Sequence, residues 1–212
     1  MSLKEARVTA FTILAIECLL SIFISPQALI SFYLAAGFSL FMYKEFFVKE
    51  WLSKRIIIYA LTHMPVTGLM VLFIYSTMTG GWFWQINSIL IIIIIINLLL
   101  ALSFEVSRKT FALADEKKER DSYSKRLGIP GACISVLILQ LAAVGLGAYI
   151  GITVQLAPWF FIIGGSIGGG VLLIAILFIV LKTHTWATLF QTSGALFLLL
   201  YYILFLVGMI WR

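Results

Sequence analysis

Between Ser103 and Leu127 the chain carries side chains whose types and spacing suit the handling of a phosphorylated anion. Glu105, Arg108 and Lys109 come first, then Asp115 and Glu116, then Asp121, interleaved with Lys117, Lys118, Arg120, Lys125 and Arg126. If the apolar run ending near residue 103 continues as a helix, Asn97, Ala101, Phe104, Glu105 and Arg108 share one face, because helical neighbours recur three and four residues apart. That face points a carboxylate and a guanidinium the same way. Carboxylates hold a divalent cation, and Arg or Lys meets the phosphate oxygens the metal leaves free, so the mixture suits a magnesium-bound diphosphate. The competing reading is a solvated loop whose charges only fix membrane topology.

The segment stands out because the rest of the chain has so little charge. It holds twelve of the twenty-four Asp, Glu, Lys and Arg residues, including both aspartates, in a chain of 212 residues that is 62% hydrophobic and 11% charged. With a mean hydropathy of +1.10, the apolar surface exceeds what a soluble domain of this size can bury. The expectation is an all-α, polytopic transmembrane bundle forming a single domain over residues 1–212.

Seven apolar runs are legible, at about 8–24, 28–43, 56–76, 82–103, 131–154, 159–181 and 186–210, against the roughly 20 residues a spanning helix needs. Pro26 separates the first two. The second is expected to continue as helix through Tyr43 to Trp51, since no Gly or Pro stops it. Lys4 and Arg7 precede an apolar run that carries Glu17 and lacks a small-residue cleavage site, so this segment is not read as a signal peptide. The 1–7 end, the 44–55 loop, the 103–127 loop and Lys182 lie on one side of a seven-helix path and carry fourteen of the fifteen Lys and Arg residues. That asymmetry places the N-terminus in the cytoplasm and the C-terminus outside the cell membrane. The net charge of +6 therefore suits anionic membrane lipids or an anionic substrate, and nucleic acid is a poor match. Cys18 and Cys133 sit in apolar runs and read as small core residues.

Other polar residues carry weaker signals. Glu17 lies midway along the first run, where an ionisable group is either functional or hydrogen-bonded to a neighbouring helix, near Ser21, Thr12 or His63. His63 and His184 match no zinc spacing, and His63 reads as a polar packing residue or pocket liner. Gly164-Gly-Ser-Ile-Gly-Gly-Gly170 puts small residues four apart, which lets a neighbouring helix approach closely and is compatible with a lipid cavity.

The string Phe104-Glu-Val-Ser-Arg-Lys-Thr110, then Asp115-Glu116, then Asp121-Ser-Tyr-Ser-Lys-Arg-Leu-Gly128 resembles the second conserved cytoplasmic region of the UbiA superfamily of intramembrane prenyltransferases. Glu45-Phe-Phe-Val-Lys-Glu-Trp-Leu52 and Thr62-His-Met64 are similar to a bacterial branch of the same family. The resemblance implies a helical bundle with a central cavity that transfers a prenyl group from a prenyl diphosphate to an aromatic or lipid acceptor. It implies magnesium held by Glu105, Asp115, Glu116 and Asp121, a diphosphate met by Arg108, Lys109, Lys117, Lys118 and Tyr123, and a catalytic role for Glu105, Arg108 and Lys109. Glu17, Glu45, His63 and Asn97 are further candidates.

The family's first Asp-rich motif has no counterpart here, because no Asp precedes residue 115. Four runs precede the second region where the family has six, and Met1-Ser-Leu-Lys-Glu-Ala-Arg7 resembles the sequence that follows that first motif. The expectation is a UbiA-like chain without its first two helices, with reduced or no transferase activity alone. The alternative is a non-catalytic membrane protein that binds lipid or a helical partner subunit. A small transporter relaying through Glu17 and His63 ranks last, since no internal repeat is detectable.

Overall fold

The computed structural model describes residues 2–116 and 121–211. Its helices are α1 (Leu3–Ile24), α2 (Pro26–Tyr43), α3 (Lys49–Ser53), α4 (Ile56–His63), α5 (Pro65–Thr79), α6 (Ser88–Arg108), α7 (Tyr123–Thr153), α8 (Pro158–Leu181) and α9 (His184–Ile210). With α4 and α5 taken as one span across Pro65, seven helices among the described residues are long and apolar enough to cross a membrane. The chain is an integral membrane protein of the all-α class. Each expected run has its helix, and the charged connections meet one another: Arg126 reaches the Lys54 carbonyl, and Asp115 meets His184.

Local sequence explains most of the boundaries. Ser2 and Glu5 form a reciprocal capping box at the start of α1, and Ser25 caps α2 just ahead of Pro26, satisfying N–H groups that lack partners inside a helix. Asn87 caps α6 and Ser122 caps α7. Gly80 ends α5 in the left-handed conformation, φ 66°, which only a residue without Cβ adopts at little cost. The turn that follows, with Trp82 stacked on Trp84, delays α6 to Ser88.

Two expectations are corrected. The second span does not continue to Trp51. It stops at Tyr43, and Glu45, Phe46 and Phe47 all take positive φ, 49°, 51° and 61°. Three left-handed non-glycine residues in a row are costly, and packing offsets the cost. Phe46 meets Phe38 and His63 edge-on, each at 5.5 Å. The second correction concerns the polar segment, much of which is helix. α6 runs on to Arg108, and α7 begins at Tyr123 and passes through a break at Gly128, φ 69°.

α6 is the hub, packed against α4, α5, α7 and α9, whereas α1 touches chiefly α2. Small residues set the closest crossings: a Cβ at Gly194 of α9 would collide with Ser107 of α6, and one at Gly147 of α7 with Tyr201. The Tyr201 hydroxyl donates to the Ala143 carbonyl at 3.0 Å. The glycine run of α8 behaves differently from the close approach expected of it. Only Gly164 is buried, and a Cβ added at Gly165, Gly168, Gly169 or Gly170 would meet nothing within 4 Å.

Candidate functional site

Asn97, Glu105 and Arg108 lie along one face of α6, as its periodicity predicts, and that face runs from an apolar cavity to the charged residues, while Ser103 and Ser107 are buried on another. The cavity measures about 620 Å³ and lies between α5, α6 and α9, with Met70, Ile93, Tyr201, Phe205 and Met209 among its walls. Asn97, Thr67 and the hydroxyl-bearing Tyr201 and Tyr202 are its polar members. Asn97 accepts from the Tyr202 hydroxyl at 2.6 Å and donates to the Thr67 carbonyl at 3.4 Å. Arg108 lies three turns further along α6, about 16 Å at 1.5 Å per residue.

At the charged end Glu105 is held by its own helix. Arg108 reaches one carboxylate oxygen at 2.5 Å and Lys109 the other at 2.6 Å. These are charge-assisted pairs at helical spacing, set in a half-buried site where the local dielectric is below that of water. The Lys109 ammonium also stands 5.2 Å from the centroid of the Tyr59 ring on α4, a favourable cation–π separation. Tyr59 in turn stacks on His63 at 4.0 Å. His63 donates through Nδ1 to the Tyr59 carbonyl, 2.8 Å, and turns Nε2 toward Glu45, 3.7 Å away. The Tyr59 hydroxyl donates to the other Glu45 oxygen at 3.5 Å. The left-handed turn at Glu45 thus brings its carboxylate under α4, and Glu45, Tyr59, His63, Glu105, Arg108 and Lys109 form one connected cluster.

The remaining acids are placed elsewhere. Glu116 accepts from Ser122 at 2.7 Å and 2.9 Å and from Ser124, with Lys125 at 3.8 Å. It sits where the first turn of α7 presents the positive end of the helix dipole. Asp121 forms a forked pair with Arg126, 2.9–3.1 Å, and Arg126 donates to the Lys54 carbonyl at 2.7 Å. Asp115 meets His184 at the start of α9, 2.7 Å. Tyr123 is buried, and its hydroxyl donates to the Ile56 carbonyl at 3.4 Å, so it braces α7 against α4. Lys117 and Lys118 fall outside the described residues.

This arrangement fits magnesium poorly. Glu105, Asp115, Glu116 and Asp121 each have protein partners in separate places, and among the described residues no three His, Cys, Asp or Glu side chains gather to hold an ion. Asp115, Glu116 and His184 do share the wall of a polar pocket of about 390 Å³ with Thr188 and Gln191. Glu17 is exposed on α1, a helix that packs chiefly on α2, and the structure does not bring it to His63. Ser21, one turn on, is buried and donates to the Glu17 backbone carbonyl at 2.7 Å.

Sequence reading missed Tyr59, His184 and Gln191, whose amide donates to the Thr110 carbonyl at 2.8 Å. The partners of His184 and Gln191, Asp115 and Thr110, and the Lys109 partner of Tyr59 are all far away in sequence, so spacing alone holds no sign of them.

No family model matches the chain. No curated protein and no solved structure matches it either. The likeness to UbiA prenyltransferases rests on its motifs alone.

Proposed function

We propose that this protein binds a long amphiphile inside the membrane, with the apolar chain in the α5–α6–α9 cavity and an anionic head at Arg108 and Lys109. The observation that carries the reading is the continuous face of α6, from Asn97 in the wall of a 620 Å³ cavity to a cationic pair at the bundle's charged end. The volume falls within the range of roughly 300–1,000 Å³ usual for small-molecule sites, which are mostly apolar with a few convergent polar groups. Arg108, with 53% of its side chain exposed, is the cation best placed to reach a ligand. The bias of Lys and Arg supports a cytoplasmic N-terminus and an outside C-terminus, so that the head is taken from the cytoplasmic side.

A prenyl diphosphate is the ligand that the family resemblance names, and transfer to an acceptor is the second reading, favoured by the ordered motifs of residues 104–128. The chain's own residues would orient the diphosphate through Arg108 and Lys109 and shield the chain from water in the cavity. Glu105 reaches a metal only by giving up those two cations.

Equilibrium binding of farnesyl diphosphate to the full chain in lipid nanodiscs, with and without magnesium, tests the proposal. Binding tighter than that of farnesol or of inorganic diphosphate is expected. Arg108→Gln should weaken it about 10-fold or more, as the loss of a charge-assisted contact implies. Equal affinity for farnesol, or indifference to Arg108→Gln, would exclude a head-group site at this position. Release of diphosphate in the presence of an acceptor would promote the transferase reading.

A further inference from the structure

A second site lies away from this cluster, on the other side of α7. Gln140, near the middle of α7, is 3% exposed, and neither its amide nitrogen nor its amide oxygen has a hydrogen-bond partner. A primary amide offers donors on one atom and acceptors on the other. Burying both without partners is costly, and buried polar groups are almost always paired, so an orphan of this kind calls for an explanation. In the membrane interior bulk water does not supply one.

Gln140 belongs to the wall of a cleft of about 160 Å³ between α7 and α8, whose floor includes Phe197 of α9. Leu137, Leu141 and Val144 form the rest of the α7 side, and Gly164, Gly165, Gly168 and Gly169 form the α8 side. Gly164 is packed, its Cβ position 3.3 Å from Leu204 of α9, but the other three do not serve a helix crossing, since nothing stands within 4 Å of a Cβ placed at Gly165, Gly168 or Gly169. What they leave is a slot, flat on the α8 side and apolar everywhere except at the amide. Leu141 and Leu172 at its rim are exposed, so the slot opens toward the surrounding hydrocarbon.

Size decides between occupants. A volume near 160 Å³ is close to the roughly 150 Å³ of an engineered cavity that takes up a single benzene molecule. A partner helix about 10 Å across does not enter it. An ionised head is unsuited, because no cation lines the slot to compensate its desolvation. The amide asks for one small group that both donates and accepts, and a hydroxyl does so with a single oxygen.

We propose that the α7–α8 slot is a binding site for a neutral, hydroxyl-headed hydrocarbon entering from the membrane, its oxygen bridging the Gln140 amide and its chain lying against the glycines of α8. This site is independent of the amphiphile cavity and of the charged cluster at Glu105.

The test is photolabelling of the full chain in nanodiscs with two probes of equal length, an aliphatic alcohol carrying a diazirine and the corresponding diazirine hydrocarbon. Labelling by the alcohol is expected within 137–144 and 164–172, at concentrations about tenfold lower than the hydrocarbon needs, and to be competed by octanol. Gln140→Leu should abolish the preference while leaving hydrocarbon labelling in place. Gly168→Leu should block both probes. Gly168→Ala, whose added methyl has open space, serves as the milder variant if the larger one unfolds the chain, and should weaken labelling by both. Equal labelling by the two probes, a preference that survives Gln140→Leu, or label confined to other helices would overturn the proposal.

Discussion

Glu105 on α6 and Gln140 on α7 are polar side chains set in apolar helices, and the fold treats them in opposite ways. The Glu105 side chain is 12% exposed and has a cation on each oxygen; Gln140 is 3% exposed and has nothing on either amide atom. An ionised carboxylate in a low-dielectric setting needs partners to stay charged, and α6 supplies them one turn away. An amide tolerates isolation better because only its hydrogen bonds are lost. The difference teaches that the charged end is closed on itself and held by the chain, whereas the slot is left open to something from outside it.

The comparison is broken most directly at Glu105. Glu105→Leu leaves Arg108 and Lys109 facing each other without the shared anion and is expected to cost about 2 kcal/mol of stability, less than a fully buried pair because Arg108 is half exposed. Unfolding in mixed micelles by titration with SDS measures it. Adding Lys109→Leu should recover part of the loss, the coupling that a double-mutant cycle reads. If Glu105→Leu is silent, the two cations are solvated and the carboxylate does not organise them.

The opposite sign is expected at Gln140. Replacing a buried amide that has no partner by an apolar side chain of similar size removes a desolvation cost without breaking a contact, so Gln140→Leu should stabilise the unliganded chain by about 1 kcal/mol. The same SDS titration detects it. A loss of that size would mean that the amide is paired in the folded state, and the contrast with Glu105 would collapse.

How far each site was legible follows from where its partners are. The seven spans are written in local hydropathy, and the Asn97–Arg108 face follows from helical period, so both were readable. Glu105 was readable for the same reason, since its partners lie at i+3 and i+4. The end of α2 at Tyr43 was not, because no Gly or Pro marks it and the left-handed turn is held by Phe46 against Phe38 and His63. The early start of α7 had a local sign in the Ser122 cap that the surrounding charge obscured. A lone Gln in an apolar run carries no local sign of whether a partner awaits it, and Gln140 drew no notice. Glu17 drew more notice than its exposed place on α1 supports, because depth along a helix says nothing about which way the residue faces. The acids at 115, 116 and 121 looked like a cluster in sequence, yet His184, the serines of α7 and Arg126 divide them.

The smallest expected stability effect sharpens the comparison furthest. Arg108 and Lys109 both pair with Glu105, but 53% of the Arg108 side chain is exposed against 26% for Lys109, and only Lys109 also sits over Tyr59. Lys109 is therefore the more tightly packed of the two cations, while Arg108 keeps donors beyond those paired with Glu105, since a guanidinium carries five N–H groups and one carboxylate oxygen takes few of them. Exposed ion pairs contribute little, so Arg108→Gln should change stability by less than about 0.5 kcal/mol. The same substitution is expected to weaken farnesyl diphosphate binding about 10-fold or more. A residue that matters to the ligand and hardly to the fold is a recognition residue. A residue whose loss lowers both in proportion is part of the scaffold, and measuring SDS unfolding and ligand affinity on one Arg108→Gln preparation separates the two.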